Sequence, residues 1–574
     1  MTDNAFVPDW AKGIIWYQIL PERFCNGDPR NDPGPRTLET PAPRGWKISP
    51  WTGDWYKSAP WEGKSFSGFF STVTQRRYGG DLQGIIDRLG HIEKLGAQAL
   101  YLNPVFRSPS HHKYDGSSFH HIDENLGPDP EGDRRLIASE THDPATWRWT
   151  AADRLFLELV RKAHLRGLRV IMDGVFNHCG RDFFAFRDLR EKGRLSPYKS
   201  WFRGVRWDPS APDGFYYRGW WGLSSMPEFA RGKTFNAGYK RYLFDITRRW
   251  LDPDGNPARG ADGFRLDVAE CVPHGFWKEW REHVRSIKPD AYLTAEIDSI
   301  EPAYVRGDEF DAMMNYPFAF ACAAFFSAGE RAPSSLAFDR KLEEVRKAYA
   351  PQVTEVMQNL ISSHDTPRLR TIILNHGVSM NGFADFHRKS KLEHNPSYKT
   401  GRGGERERKL HALAAAFQAL YIGAPMIYYG DEYGMTGAND PDCRKPMLWP
   451  GMKYEDESLR PGPGSEKEPN RPDLVLFESY RQFLSARKNS PAISRGSYKT
   501  VFAEKDGRLL VFERKLEGET VLCAINACDC ARTVSLPAKR AKKPRLLAGA
   551  ASCHFENGKL KLEIGALSAA AVRL

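Results

Sequence analysis

Four short apolar runs of this sequence end in side chains that can do chemistry on a substrate. These side chains are Asp173, Asn177, His178, Arg265, Asp267, Glu296, His364 and Asp365. Two carboxyl groups about 5 Å apart can cleave an acetal with retention, because one attacks the anomeric carbon while the other protonates the leaving oxygen and later activates water. Residues so distant in sequence can meet only where a scaffold brings the ends of several strands together.

A parallel barrel is the scaffold that the rest of the pattern predicts. Eight apolar runs are typical of strands, and segments with helical spacing, such as 81–95 and 151–165, separate most of them. The predicted strands are 14–20, 99–105, 169–176, 263–268, 292–297, 311–316, 360–363 and 425–429. This alternation favours an α/β fold, a (β/α)8 TIM barrel, whose active residues lie where strands end and βα loops begin.

Two further segments depart from the barrel pattern. Residues 179–236 are rich in Trp, Tyr and Gly and are too long for a simple loop, so we predict an inserted subdomain after the third strand. Its aromatic rings could pack in a core or stack on sugars. Short alternating strands predict a C-terminal antiparallel β-sandwich domain over 492–574, which leaves 1–178 and 237–491 for the barrel.

The composition excludes few classes of protein, but it helps to decide whether nucleic acid or a membrane is a partner. The chain carries 83 Lys and Arg against 72 Asp and Glu, a net charge of +11. Such a charge could attract nucleic acid, but the basic residues are mostly dispersed and no nucleic-acid-binding signature accompanies them, so we predict a solvated surface. No apolar stretch approaches the roughly 18 residues that span a bilayer.

The N-terminus and the cysteines point to a cytoplasmic protein. The first residues show no signal-peptide pattern, so we predict a soluble, cytoplasmic chain with no membrane partner, or a secreted one if a signal was removed. The nine cysteines are scattered without zinc-ligand spacing, which favours free thiols in a reducing compartment.

Four segments, in order, resemble the sequence regions of the α-amylase family, glycoside hydrolase family 13. They read Asp-Gly-Val-Phe-Asn-His at 173–178, Gly-Phe-Arg-Leu-Asp-Val at 263–268, Ala-Glu-Ile at 295–297 and Ser-His-Asp-Thr at 363–366. The resemblance extends from Tyr17 to at least Trp449 and is strongest to the neopullulanase, cyclomaltodextrinase and maltogenic amylase group. A single match of this kind would be weak, whereas the ordered set is specific.

The resemblance implies a role for each carboxylate. Asp267 would be the nucleophile, Glu296 the general acid and base, and Asp365 the group that stabilises the distorted, oxocarbenium-like sugar. Arg265 would orient Asp267 and keep it ionised. The remaining residues that the resemblance places in substrate binding are His178, His364, Tyr114, Asp173, Asn177, Asp440 and Arg444. Among them, Tyr114 would stack beneath the reacting ring, and Asp440 and Arg444 would grip the next sugar.

A cluster of oxygen-bearing side chains near the N-terminus predicts a metal site. Asn26, Asp28, Asn31 and Asp32 stand in one short loop, and Asp54 follows, with a main-chain carbonyl near Gly53 available. Hard oxygen ligands of this kind suit Ca²⁺, and the resembling group binds calcium at a matching loop. The alternative is a turn capped by its own side chains. We predict a structural calcium ion and no organic cofactor.

Three departures from the group limit the substrate prediction. Glu270 and Cys271 replace the usual Asn-Glu, and Asp298-Ser299 replaces the usual Trp-His. The group also carries an N-terminal β domain that helps form a dimer, whereas here the first predicted strand begins near Ile14. We therefore predict a monomer with an open cleft.

The combined prediction is a retaining α-glucan hydrolase. It would cleave α-1,4 bonds of starch or maltodextrins through a covalent glycosyl-Asp267 intermediate. Two alternatives remain: an enzyme of the neopullulanase or cyclomaltodextrinase type with α-1,6 cleavage or transglycosylation, and a catalytically dead glucan-binding protein.

Overall fold

Eight parallel strands form the central sheet of the computed structural model, which describes residues 6–38, 41–327, 329, 332–375, 378, 382–537 and 544–574. The strands are β1 (Trp16–Ile19), β2 (Ala99–Leu102), β3 (Arg169–Gly174), β4 (Gly263–Leu266), β5 (Tyr292–Ala295), β6 (Ala312–Met313), β7 (Gln358–Leu360) and β8 (Ala424–Tyr428). Neighbours in the chain pair in parallel from β1 to β6, β7 pairs with β8, and β8 pairs with β1. A single bridge from Met314 to Gln358 joins β6 to β7, so the predicted barrel is confirmed.

Helices follow most of the barrel strands. Their bounds are Leu82–Asp87 and Leu89–Leu95 after β1, Ala151–His164 after β2, Ala237–Leu251 after β3, His274–Ile287 after β4, Tyr316–Phe325, Ser335–Ala348 and Pro351–Val356 after β6, Leu369–Leu374, Phe383–Ser390 and Glu405–Leu420 after β7, and Leu474–Asn489 and Pro491–Arg495 after β8. The helix predicted at 81–95 breaks at Arg88, whose ψ of 5° is not helical. Only a short 3-10 turn, Pro302–Val305, links β5 to β6.

Burial on both faces explains why apolar runs located most strands. Every residue of β1, β2, β4 and β5 is buried, as expected for a parallel sheet covered by helices. Strand β7 is the exception, because it begins two residues before the predicted 360–363. Its Asn359 accepts a hydrogen bond from Asn315 at 2.8 Å and donates one to the Ile422 carbonyl at 2.7 Å, so this polar side chain is paired inside the core.

The segment after β3 contains buried aromatic rings as well as exposed ones, so both roles that its composition suggested are represented. It includes the helix Phe184–Lys192 and a two-stranded hairpin of Arg206–Trp207 with Phe215–Tyr216. Trp201 is buried against the ring of Tyr239, whereas Trp221 is 69% exposed.

Antiparallel strands form the end of the chain, as predicted. They are β9 (Ser497–Ala503), β10 (Leu509–Leu516), β11 (Glu519–Asn526), β12 (Arg532–Pro537), β13 (Arg545–Gly549), β14 (Ala551–Glu556), β15 (Lys559–Ile564) and β16 (Ser568–Arg573). They make a five-stranded sheet, β9-β10-β11-β16-β13, and a three-stranded sheet, β12-β15-β14, and apolar side chains of both share one core. The domain boundaries given above stay predictions.

Two features of the whole chain complete the description. The nine cysteines all fall within the described ranges and are free thiols, as predicted. Within those same ranges, no helix is long and apolar enough to cross a membrane.

Candidate active site

The carboxylates Asp267 and Glu296 stand side by side at the carboxyl ends of two adjacent strands. Leu266 and Ala295, the last residues of β4 and β5, are register partners, and each carboxylate is the residue that directly follows its strand. The Glu296 amide donates to the Leu266 carbonyl at 2.9 Å, which holds this level of the two strands together. Neighbouring strands lie about 4.8 Å apart, so the two side chains leave the sheet at a spacing suited to a retaining pair.

The backbone is strained directly after Asp267. Val268 has φ +39° and ψ 52°, a left-handed conformation that a β-branched residue rarely adopts and that costs about 1–3 kcal/mol. In this conformation its amide donates to a Glu296 carboxylate oxygen at 3.0 Å. The strained turn therefore fixes one carboxylate beside the other.

One buried guanidinium connects the carboxylates. Arg265 Nη1 lies 2.9 Å from Asp267 and 2.8 Å from Asp173, and Nη2 lies 2.6 Å from Glu296. Burial alone would lower the pKa of Arg265, but the charges of Asp173 and Glu296 outweigh it and raise that pKa. The side chain is therefore a permanent cation whose planar fork sets the separation of the two carboxyl groups.

The influences on Asp267 oppose one another. Burial, and next the negative charge of Glu296, raise the pKa of Asp267, and the charge of Arg265 opposes this rise. Arg265 therefore favours the ionised form of Asp267, while burial and the neighbouring carboxylate favour its protonated form.

Asp365 is held in its charged form by two partners. It lies 2.7 Å from His364 Nε2 and 2.9 Å from Arg444 Nη2. Burial would raise the pKa of Asp365, but the His364 charge and hydrogen bond, followed by the charge of Arg444, lower it. Arg444 also lies 3.0 Å from Asp440, so these two predicted substrate-binding residues form one ion-pair group with Asp365.

Tyr114 links the two halves of the site. Its hydroxyl lies 2.9 Å from Asp173 Oδ2 and 2.6 Å from His364 Nε2, and its ring stacks on the His364 ring at 5.3 Å and 7°. Two residues that the sequence-based reasoning missed extend this network: Asn103 donates to the Tyr114 hydroxyl at 3.0 Å, and Gln18 lies 2.9 Å from His364 Nδ1. Both stand on or just after barrel strands, and that position is the signal that could have found them.

His178, on the segment that follows β3, carries an unused polar atom. Its ring stacks on Trp220 at 4.8 Å and 11°, and its Nδ1 lies 3.2 Å from Asn177 Nδ2. Burial lowers the pKa of His178 to about 3, so the imidazole is neutral. Its Nε2 is buried without a hydrogen-bond partner among the described residues. Such an atom is a ready partner for a sugar hydroxyl. Asn177 accepts a hydrogen bond from Arg231, another residue missed.

The predicted calcium loop is only partly assembled as expected. Buried Oδ1 atoms of Asn26 and Asn31 have no hydrogen-bond partner in the described part of the chain. Asn26 Nδ2 donates to Asp32 at 2.7 Å, while Asp28 pairs with Arg30 at 2.7 Å. Unpaired hard oxygens beside a carboxylate fit a Ca²⁺ ion.

Asp54 and Gly53 are not brought to that loop by the contacts observed. Asp54 instead accepts hydrogen bonds from the Ser458 hydroxyl at 2.6 Å and from Lys467 at 3.1 Å. The acid that does reach the loop is Asp81, which accepts from Asn31 Nδ2 at 3.0 Å and from the Asp28 amide at 2.9 Å. The run Gly79-Gly80-Asp81 was the missed signal, because a side chain at Gly79 would collide with Asp32.

Two of the departures seen in the sequence lie near Glu296. Glu270 belongs to the 3-10 turn that follows β4, and the residue is exposed. Desolvation of its carboxyl group by nearby protein atoms, followed by the charges of Glu296 and Asp298, raises the pKa of Glu270 to about 7. Acids thus stand near Glu296 where the resembling group carries an amide and an aromatic ring.

Known proteins resemble the chain over nearly its whole length. The profile "Alpha amylase, catalytic domain" matches residues 18–143 and 151–385. Neopullulanase 2 of Thermoactinomyces vulgaris is 35% identical over 559 residues, 97% of this chain and 77% of that protein. A cyclomaltodextrinase of Geobacillus thermopakistaniensis is 34% identical, over 92% of this chain and 71% of that protein.

Solved structures agree with the sequence matches. A cyclomaltodextrinase superposes with a TM-score of 0.73 at 30% identity, covering 99% of this chain and 79% of its own. A cyclic α-maltosyl-(1→6)-maltose hydrolase from Arthrobacter globiformis gives a TM-score of 0.70 at 26% identity, covering 99% of this chain and 100% of its own. The chain is therefore a glycoside hydrolase of the α-amylase family.

Proposed function

We propose that this hydrolase cleaves α-1,4-glucosidic bonds of starch or maltodextrins with retention, through a covalent glycosyl-Asp267 intermediate. The observation that carries the proposal is the placement of Asp267 and Glu296 on register-paired strands under one guanidinium. In this proposal Asp267 attacks the anomeric carbon, and Glu296 protonates the departing oxygen. Glu296 then takes a proton from the water that releases the sugar.

The charges around Asp267 fit this sequence of steps. A bound glucan places a developing positive charge next to Asp267, which favours its ionised form, so the proton belongs on Glu296 when the bond breaks. Asp365 would stabilise the same developing charge, because His364 and Arg444 keep it ionised. Its position is supported by its electrostatic effect on Asp267.

The side chains around the three carboxylates are consistent in type with a glucan substrate. In this proposal Tyr114 stacks beneath the reacting sugar, and His178 Nε2 and His364 bind its hydroxyls. Asp173 holds Arg265, and Asp440 with Arg444 binds the next sugar. Trp220 and Trp221 stack on each other at 4.8 Å and 15°, and the exposed Trp221 would extend a platform for sugars farther along the chain.

A second specificity needs a test because the similar proteins are named for different activities. Neopullulanase and cyclomaltodextrinase activities, including α-1,6 cleavage or transglycosylation, remain the alternative. The acids Glu270 and Asp298 disfavour a neutral sugar acceptor close to Glu296, since a sugar there would have to displace water from charged groups. We therefore propose water as the main acceptor.

Chromatography of products from starch, pullulan and cyclodextrin tests the proposal. We expect starch and linear maltodextrins to be degraded faster than pullulan, with little transfer product. Asp267→Asn should abolish hydrolysis of every substrate, and starch hydrolysis at the wild-type rate in that variant would contradict the proposed nucleophile. Rapid conversion of pullulan or cyclodextrin instead of starch would favour the alternative specificity.

A structural calcium ion and a monomeric chain complete the proposal. Asn26, Asp28, Asn31 and Asp32 would contribute ligands to calcium, with Asp81 in place of Asp54. The proposal of a monomer is tested by size-exclusion chromatography with light scattering, and a stable dimer would contradict it.

A further inference from the structure

Two histidines and a glutamate converge at a point that the proposed reaction does not use. One potential ligand atom from each of His120, His121 and Glu140 lies within 4.8 Å of the other two. His121 Nε2 is 2.5 Å and His120 Nε2 is 3.6 Å from Glu140 Oε2. Both imidazoles are buried, and the glutamate is half-buried. In the sequence, the three residues lie between β2 and the helix Ala151–His164.

Each imidazole is oriented through its other nitrogen. His121 Nδ1 lies 2.8 Å from Asp153 Oδ2, and His120 Nδ1 lies 2.8 Å from the Tyr242 hydroxyl. Metal-binding histidines are held in this way, since an oxygen partner at one ring nitrogen fixes the ring and directs the other nitrogen at the ion. The Oε1 atom of Glu140 accepts from the Arg148 amide at 2.7 Å, which leaves Oε2 facing the histidines.

The charges around the cluster favour a cation. Arg249 lies 2.9 Å from Asp153 and compensates its charge, so the charge of Glu140 is available to a ligand. A tetrahedral ion with metal–ligand bonds of about 2.0–2.1 Å separates its donor atoms by about 3.3 Å. The observed 2.5 and 3.6 Å separations require Glu140 Oε2 to shift by less than about 1 Å.

We propose that His120, His121 and Glu140 bind one divalent transition-metal ion of the zinc type, with water as the fourth ligand. Two imidazoles and one carboxylate suit Zn²⁺, whereas Ca²⁺ and Mg²⁺ prefer sites built of oxygens. The role is structural: the ion ties the loop that carries Glu140 to the segment 119–123 and, through Asp153, to the start of the helix Ala151–His164. The metal-free alternative is a protonated His121 shared by Glu140 and Asp153.

Zinc titration of the full-length, chelator-treated chain by calorimetry tests the proposal, with Ca²⁺ present throughout. We expect one tight Zn²⁺ equivalent in the wild type. Two variants remove a ligand: Glu140→Gln preserves the shape of the side chain, and His120→Phe preserves the stack on Trp147, whose ring lies 4.5 Å away. Each should weaken zinc binding at least about 100-fold, because removing a ligand costs more affinity than removing a residue that only hydrogen-bonds to a ligand. Circular dichroism verifies that both variants fold.

The matched control is His142→Asn, two residues after Glu140 on the same loop, where the imidazole is exposed and bonded to Tyr198. It should bind zinc like the wild type. Equal binding by Glu140→Gln and His120→Phe, or no zinc bound by the wild type, would overturn the proposal and leave the protonated His121 network. X-ray absorption of the zinc-loaded wild type provides a readout without substitution, and a zinc edge without imidazole scattering would also overturn it.

Discussion

Replacing Arg265 by lysine keeps the positive charge of the side chain but removes the planar guanidinium. The guanidinium reaches Asp173 and Asp267 through Nη1 and Glu296 through Nη2, at 2.6–2.9 Å. A lysine ammonium is a single point charge on a different stem, so it cannot occupy both nitrogen positions. In Arg265→Lys the site should keep its net charge while Glu296, and in part Asp267, lose their fixed positions.

The expected loss of activity follows from the contacts removed. Removing one partner of a buried ion pair costs about 3–5 kcal/mol, so losing the ion pair with Glu296 and weakening the hydrogen bond to Asp267 should cost about 3–4 kcal/mol in the transition state. Since about 1.4 kcal/mol is a factor of ten in rate, kcat should fall about 10²–10³-fold. The assay is the initial rate of reducing-sugar release from maltodextrin across a pH series, with a thermal melt of the same samples.

Arg281→Lys is the matched control for this experiment. Arg281 is also buried and ion-paired, but its carboxylate partner is Asp311 at 2.8 Å and its other contacts are main-chain oxygens. It should lose stability and keep kcat. If Arg265→Lys kept kcat within about threefold of the wild type, the inference that one guanidinium sets the carboxylate geometry would be refuted.

Three further perturbations test other parts of the site. Glu270 ionises as pH rises through about 7, and its negative charge opposes loss of the proton that the proposed reaction delivers to the leaving oxygen. Glu270→Gln should therefore move the alkaline limb of the kcat/KM profile to lower pH, and an unmoved limb would contradict this coupling. Trp221→Ala should raise KM for long maltodextrins about 2–10-fold with kcat unchanged, and unchanged KM would remove this ring from substrate binding. Calcium at 100 times its Kd should stabilise the wild type by about 2.7 kcal/mol and Asp32→Asn much less, as thermal melts will measure; equal responses would place any calcium elsewhere.

The sequence predicted the barrel and the positions of its carboxylates because both depend on local patterns. Buried parallel strands are apolar on both faces, and chemistry at their carboxyl ends follows directly, so Asp267, Glu296 and Asp365 could be placed before the structure was known. The start of strand β7 was predicted two residues too late because the strand begins with the polar residues Gln358 and Asn359, which an apolar pattern does not reveal.

Contacts between distant segments were not predictable in this way. Spacing along the chain suggested Asp54 for the calcium loop, but the fold brings Asp81 there and turns Asp54 toward Ser458. The meeting of His121 with Glu140 likewise depends on how a long loop returns to the barrel, and no zinc-type spacing reveals it. The direction in which the pKa of Asp267 is shifted also depends on its burial, which residue type does not give.

Trapping the glycosyl-enzyme tests the central claim most directly. Incubation of the wild type with a 5-fluoro-α-glucosyl fluoride should slow release of the sugar and let the covalent intermediate accumulate. Proteolysis and mass spectrometry should then find one fluoroglucosyl group, esterified to the side chain of Asp267. A label on any other residue would contradict the proposed nucleophile, and turnover of the reagent with inverted product and no label would contradict the retaining mechanism.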